Sequence, residues 1–130
     1  MTMKIIDIKK LGKSFQIAFS GLKIAVIQEN TVRIGICISA VVVFLMFYFP
    51  LSPIERAMVI LCIFLVMSIE LMNTQVERVT NLIDSNHNFK IRMIKDLAAA
   101  AVLISIIGAG IVACFIFLPQ RQYPWVHKRG

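Results

Sequence analysis

Glu70, Asn73 and Glu77 stand at i, i+3 and i+7 in a stretch free of Gly and Pro. On an α-helix these positions fall within about 60° of one another, and Asn81 and Asp84 continue the same face. Two carboxylates and an amide on one stripe offer oxygen ligands for a hard cation. That set suits Mg²⁺ when substrate phosphates complete the coordination. The run before the stripe, Ala57 to Ile69, is apolar, so the stripe emerges from a segment that reads as a membrane span. Ionisable groups in spans are rare, face a protein interior and mark a functional site by default. The plainer alternative leaves Glu77 solvated at the interface and pairs Glu70 with a neighbouring helix.

Glu29 is the second acid of interest. Phe15, Ala18, Phe19, Leu22, Ala25 and Val26 recur at helical spacing, and Glu29 prolongs that apolar stripe, which turns it inward. The alternative is a solvated carboxylate at a frayed helix end, paired with Arg33. If Glu29 points inward, three carboxylates and Asn73 converge near one membrane face. Lys95 and Asp96 open the last apolar run, as a phosphate contact with a carboxylate partner or as an ordinary interfacial charge pair.

Other familiar sites are missing from the sequence. Gly12-Lys13-Ser14 imitates the end of a P-loop, but Asp7 sits where the earlier Gly belongs. There is no Gly-rich kinase loop and no protein-kinase catalytic Asp/Asn set. The three cysteines, Cys37, Cys62 and Cys114, lie in apolar runs without metal spacing and read as small hydrophobes. His87 and His127 fall in a loop and a tail and read as solvated.

The elements that must carry these groups are those of a membrane protein. Of 130 residues, 58% are hydrophobic and 16% charged, against about 45–50% and about 25% in soluble domains. A soluble monomer of this length cannot hide that much apolar surface. The segmentation expected for a single domain is a polar basic N-terminus at 1–13, an amphipathic surface helix at 14–30 capped by Ser14, and spans at 31–50, 54–84 and 95–119. A loop at 85–90 precedes the third span, and a basic tail at 120–130 follows it. Ala101, Ser105, Ala109 and Ala113 recur at i+4 in that span with Gly108 beside them, a stripe of small residues that lets helices approach closely, within or between subunits.

Charge sets the orientation. The net charge of +7 sits beside apolar runs, which favours anionic head groups over nucleic acid as its partner. The N-terminal segment through Arg33 carries Lys4, Lys9, Lys10, Lys13, Lys23 and Arg33, and Arg78, Lys90, Arg92 and Lys95 surround the second loop. Arg56 alone lies in the other turn, and Arg121, Lys128 and Arg129 in the tail. The N-terminus and the second loop are therefore expected to be cytoplasmic.

The run Glu70-Leu-Met-Asn73-Thr74-Gln-Val-Glu77, followed by Lys95-Asp96-Leu-Ala-Ala-Ala-Ala-Val-Leu, resembles the small bacterial integral-membrane lipid kinases, the diacylglycerol kinase and undecaprenol kinase family. Phe15, Ala18, Gly21, Glu29, Arg33 and Ile34 look like that family's surface helix and first-span entry. The likeness covers about residues 14–120. It implies a homotrimer of three-span subunits in the bacterial cytoplasmic membrane, with shared active sites on the cytoplasmic side. ATP would be the donor, Mg²⁺ the cofactor and a lipid alcohol the acceptor. Carried over by position, Glu29 and Glu77 hold metal and triphosphate, Glu70 is the catalytic base, Asn73 orients phosphate or metal, and Lys95 and Asp96 contact nucleotide. Lys10, Asn81 and Asp84 are further nucleotide candidates.

This sequence departs from the family at Asn81, where an Asp is usual, and at Gln75, where a small Ala is usual. Asn30 stands one place before an Asn often seen in the family. The branch it looks more like phosphorylates undecaprenol, with diacylglycerol as the alternative acceptor. A small non-enzymatic oligomeric membrane protein is the competing class.

Overall fold

The computed structural model describes residues 7–83 and 87–122, with side chains through 119. All four elements are helices: α1 Ile8–Gln28, α2 Asn30–Tyr48, α3 Pro53–Ile83 and α4 Phe89–Gln122. The last three are long and apolar enough to cross a membrane. Asp84, a nucleotide candidate, lies outside the described residues, as do 1–6 and 123–130.

Helix starts follow local chemistry. Asp7, not Ser14, caps α1. Its carboxylate accepts from the backbone N–H of Lys9 at 3.1 Å and of Lys10 at 3.4 Å, and an aspartate favours the positive end of a helix dipole. Ser14 lies inside the helix and donates its hydroxyl to the Lys10 carbonyl. At α3, Ser52 and Glu55 form a reciprocal capping box. The Glu55 carboxylate accepts from Ser52 N–H at 2.7 Å, and Ser52 Oγ accepts from Glu55 N–H at 3.3 Å. Pro53 between them occupies the first helical position, where its missing N–H costs nothing.

Two boundaries differ from expectation. Helix α4 starts at Phe89, so Lys95 and Asp96 lie beyond its first turn and do not open it. Pro119 does not stop α4, which runs on to Gln122. A proline one turn from a helix end removes a single backbone bond, and the apolar run before it carries the helix through.

The buried core sits at the α2–α3 turn. Met46, Leu51, Val59 and Ile116 are buried there, with Val42, Ile63, Val112 and Phe117 packed around them. Phe49 meets Phe117 edge to face at 5.6 Å, and the Arg56 guanidinium lies over the Phe47 ring at 5.7 Å. Span hydroxyls are satisfied by their own helices: Ser39 donates to the Gly35 carbonyl and Ser68 to that of Phe64, each at 2.7 Å. Hydrocarbon offers them no other partner. Buried residues also lie at the other end, where the polar residues are: Ala25, Val32, Thr74, Thr80 and Ile91.

Candidate active site

The polar end is assembled from three elements: the α1–α2 junction, the last turns of α3 and the first turns of α4. Glu29 is the junction residue, in extended conformation with φ −105° and ψ 114°. Although it stands at the α2 N-cap, its carboxylate makes no capping bond there. It turns to α3 instead. Arg78 donates to Glu29 Oε1 from Nε at 3.0 Å and from Nη2 at 2.6 Å, and Nη2 also donates to Gln28 Oε1 at 2.8 Å. Glu29 is half-buried by this contact, its side chain 25% exposed. One turn on, Lys95 of α4 donates to Asn81 Oδ1 of α3 at 2.6 Å. These two bridges tie the start of α2 and the start of α4 to one α3 segment.

Glu70 lies deeper along α3. It lines an apolar groove of about 460 Å³ between α2, α3 and α4. Gly35 and Ile38 of α2, Val66 and Met67 of α3, and Ala109 and Ala113 of α4 form its walls. Among the described residues Glu70 is the one carboxylate lining it. A half-buried acid at the edge of an apolar slot can take a proton from a polar head whose tail lies in the slot. One turn on, Asn73 is half-buried, and its Oδ1 is buried without a hydrogen-bond partner. An orphaned acceptor costs about 1–3 kcal/mol, so a donor or a cation brought to that oxygen would be stabilising.

Thr74 and Thr80 are buried on the same helix, and their hydroxyls are occupied. Thr74 donates to the Glu70 carbonyl at 3.0 Å, and Thr80 to the carbonyls of Val76 and Glu77. Glu77 itself is exposed, as are Asp96, Asn81 and Lys10. The expected convergence of three carboxylates is not formed: among the described residues no three of His, Cys, Asp or Glu gather to hold a metal ion. The physical reason is Arg78, which draws the Glu29 carboxylate into an ion pair, while Glu70 sits back in the groove. Lys10 is not brought to the site either. α1 is continuous from Ile8 to Gln28, and its rise puts Lys10 about 28 Å from Glu29.

By chemical type alone, Glu29, Glu77 and Asn73 suit a divalent ion carried by phosphates. Two carboxylates and an amide oxygen are what Mg²⁺ uses when a triphosphate supplies the other ligands. Arg78 was missed in the sequence. A cation beside Glu77, on the helix that carries the acids, was the available signal.

Comparison with known proteins gives one consistent result. The family model for prokaryotic diacylglycerol kinase matches residues 16–117. An undecaprenol kinase of Bacillus subtilis (strain 168) is 30% identical over 114 residues, 88% of this chain and 93% of that protein. A diacylglycerol kinase of Escherichia coli (strain K12) is 32% identical over 108 residues, 82% of this chain and 88% of that protein. A diacylglycerol kinase of Synechocystis is 33% identical over 107 residues, 82% of this chain and 61% of that protein.

Proposed function

The chain belongs to the prokaryotic diacylglycerol kinase family and is a lipid kinase, and on that premise we propose that it transfers the γ-phosphoryl group of ATP to undecaprenol. Membership sets aside the non-enzymatic class. The observation that carries the proposal is the apolar groove with Glu70 at its edge. A polyprenyl chain is all hydrocarbon save its terminal hydroxyl, and the groove offers apolar walls and one carboxylate.

Glu70 takes the proton of that hydroxyl as the new O–P bond forms to the γ-phosphorus. The bond from that phosphorus to the β,γ-bridging oxygen breaks, and ADP leaves. Glu29 and Glu77 hold the metal-bound triphosphate, Asn73 Oδ1 supplies a further oxygen, and Lys95 and Asp96 contact the nucleotide. When bound, Mg²⁺ neutralises charge on the β- and γ-phosphates. Lys95 adds a positive charge at the phosphates, which needs no reorganisation as the bond breaks.

In this reading the domain is one surface helix followed by three spans. α1 lies on the membrane surface with its lysines toward anionic head groups, and the site faces the cytoplasm of a bacterial cell. Three copies assemble, and neighbouring copies complete the exposed carboxylate at Glu77. Diacylglycerol is the second reading, favoured by the names of the relatives at 32% and 33% identity.

The test is phosphate transfer from labelled ATP by the purified protein in mixed micelles, with undecaprenol and diacylglycerol side by side and Mg²⁺ present or chelated. Mg²⁺-dependent labelling of undecaprenol, lost in Glu70→Gln while nucleotide still binds, is expected. Faster labelling of diacylglycerol would replace the acceptor, and labelling of neither lipid would overturn the reading.

A further inference from the structure

We infer that Arg78 is a positioning residue that makes cation binding at the Glu29 and Glu77 carboxylates depend on nucleotide phosphate, an inference that rests on the metal role proposed for that pair. Arg78 follows Glu77 directly on α3 and reaches across to the α1–α2 junction. Both of its bonds to Glu29 end on Oε1. Glu29 Oε2 makes no hydrogen bond among the described residues, so one oxygen of the acid is fixed and the other is left for a ligand. Nη2 also holds Gln28, which fixes the junction as well as the carboxylate.

The charges decide what that ligand is. Two carboxylates alone attract a bare divalent cation. With the Arg78 guanidinium bonded to Glu29, two carboxylates and one guanidinium leave a single net negative charge, and a cation arriving at Glu29 meets a positive neighbour. A cation that arrives on a triphosphate brings its own negative charge, and Arg78 then favours it. Arg78 therefore selects the metal–nucleotide complex over the free ion and holds Glu29 in register with α3 for it.

The experiment measures Mn²⁺ binding by electron paramagnetic resonance on the full-length protein in detergent, with and without ADP. Wild type is expected to bind Mn²⁺ weakly alone and more tightly with ADP. Arg78→Gln removes the charge and keeps a donor. It should tighten ADP-free Mn²⁺ binding about tenfold, the scale for a divalent ion beside a unit charge in water-like surroundings, and should weaken the ADP-dependent gain. Arg78→Lys keeps the charge and should behave like wild type in the ADP-free titration, which a purely structural role would not predict. The ion pair is partly exposed and such pairs contribute little to folding, so both variants should fold.

ADP-free binding that is no tighter in Arg78→Gln, or equally tight in Arg78→Lys, overturns the inference. If instead ADP-dependent Mn²⁺ binding survives intact in both Glu29→Gln and Glu77→Gln, the carboxylate pair is not the metal site. The proposal for the site then fails before Arg78 is at issue.

Discussion

Lys95 of α4 donates to Asn81 Oδ1 of α3 at 2.6 Å, so the position where the family usually carries Asp still orients the lysine, through a neutral acceptor. An amide accepts this bond without a charge of its own. Asn81→Asp should convert it to a charge-assisted pair and raise stability by roughly 0.2–1 kcal/mol, the range for exposed pairs. Thermal unfolding in micelles reads this. Asn81→Leu removes the acceptor and should raise KM for ATP by about threefold to tenfold, the scale of one ordinary hydrogen bond, with kcat little changed. An unchanged KM would separate Lys95 from the nucleotide.

Gly35 and Met67 set the width of the groove. A Cβ on Gly35 would lie 2.8 Å from Met67 Sδ and 3.4 Å from its Cε. Methionine is unbranched and can swing aside, so Gly35→Ala should cost only about 1 kcal/mol, at the low end for overpacking. Gly35→Val should cost more, and Met67→Ala should relieve both. A double-mutant cycle on unfolding should give a coupling of about 0.5–3 kcal/mol, and additive effects would mean the two helices do not press together there.

Ala109 tests which side of the small-residue stripe matters. Ser105, Ala109 and Ala113 are half-buried against this chain's own helices, whereas Ala101 and Gly108 are exposed. Ala109 lines the groove. Ala109→Leu should therefore raise KM for the lipid and leave KM for ATP alone. Gly108→Leu should spare lipid KM, because its side chain points away from the groove. The reverse pattern would place the lipid elsewhere.

The three helices able to cross a membrane were legible because each holds an uncharged apolar run, a signal that needs no tertiary context. The α3 stripe was legible for the same reason: helical spacing puts Glu70, Asn73 and Glu77 on one face whatever surrounds them. What could not be read was who meets whom across helices. Arg33 and Arg78 are equally plausible partners for Glu29 by charge, and only the angle of the α1–α2 junction selects Arg78. The Ser52–Glu55 capping box has the S-x-x-E spacing in the sequence itself. At Asp7 and Ser14 two residues could cap α1, and the aspartate, one turn and more upstream, lets the helix run longer.

Topology is open to direct measurement. A reporter fused after residue 52 should be extracytoplasmic and one after residue 88 cytoplasmic, following the Lys and Arg bias. The opposite labelling would put Glu29, Asn81 and Lys95 on the side without ATP.

The two acids of the proposed metal site differ in their surroundings. Glu77 is exposed and Glu29 is tied to Arg78, so in this chain each is tolerated without a cation. Glu77→Gln keeps size and hydrogen bonding and removes one charge. It should abolish turnover and leave unfolding unchanged within about 0.5 kcal/mol, as expected for an exposed residue away from the core. Glu29→Gln should abolish turnover too but lose more stability, because it leaves the half-buried Arg78 without its counter-charge. For catalysis the double variant should be little worse than either single, since groups that act as one unit are not additive. Steady-state rates with Mg²⁺-ATP, set beside unfolding in the same detergent, separate the two effects. Multiplicative losses in rate would mean that Glu29 and Glu77 act on different steps, and the shared metal would have to be abandoned.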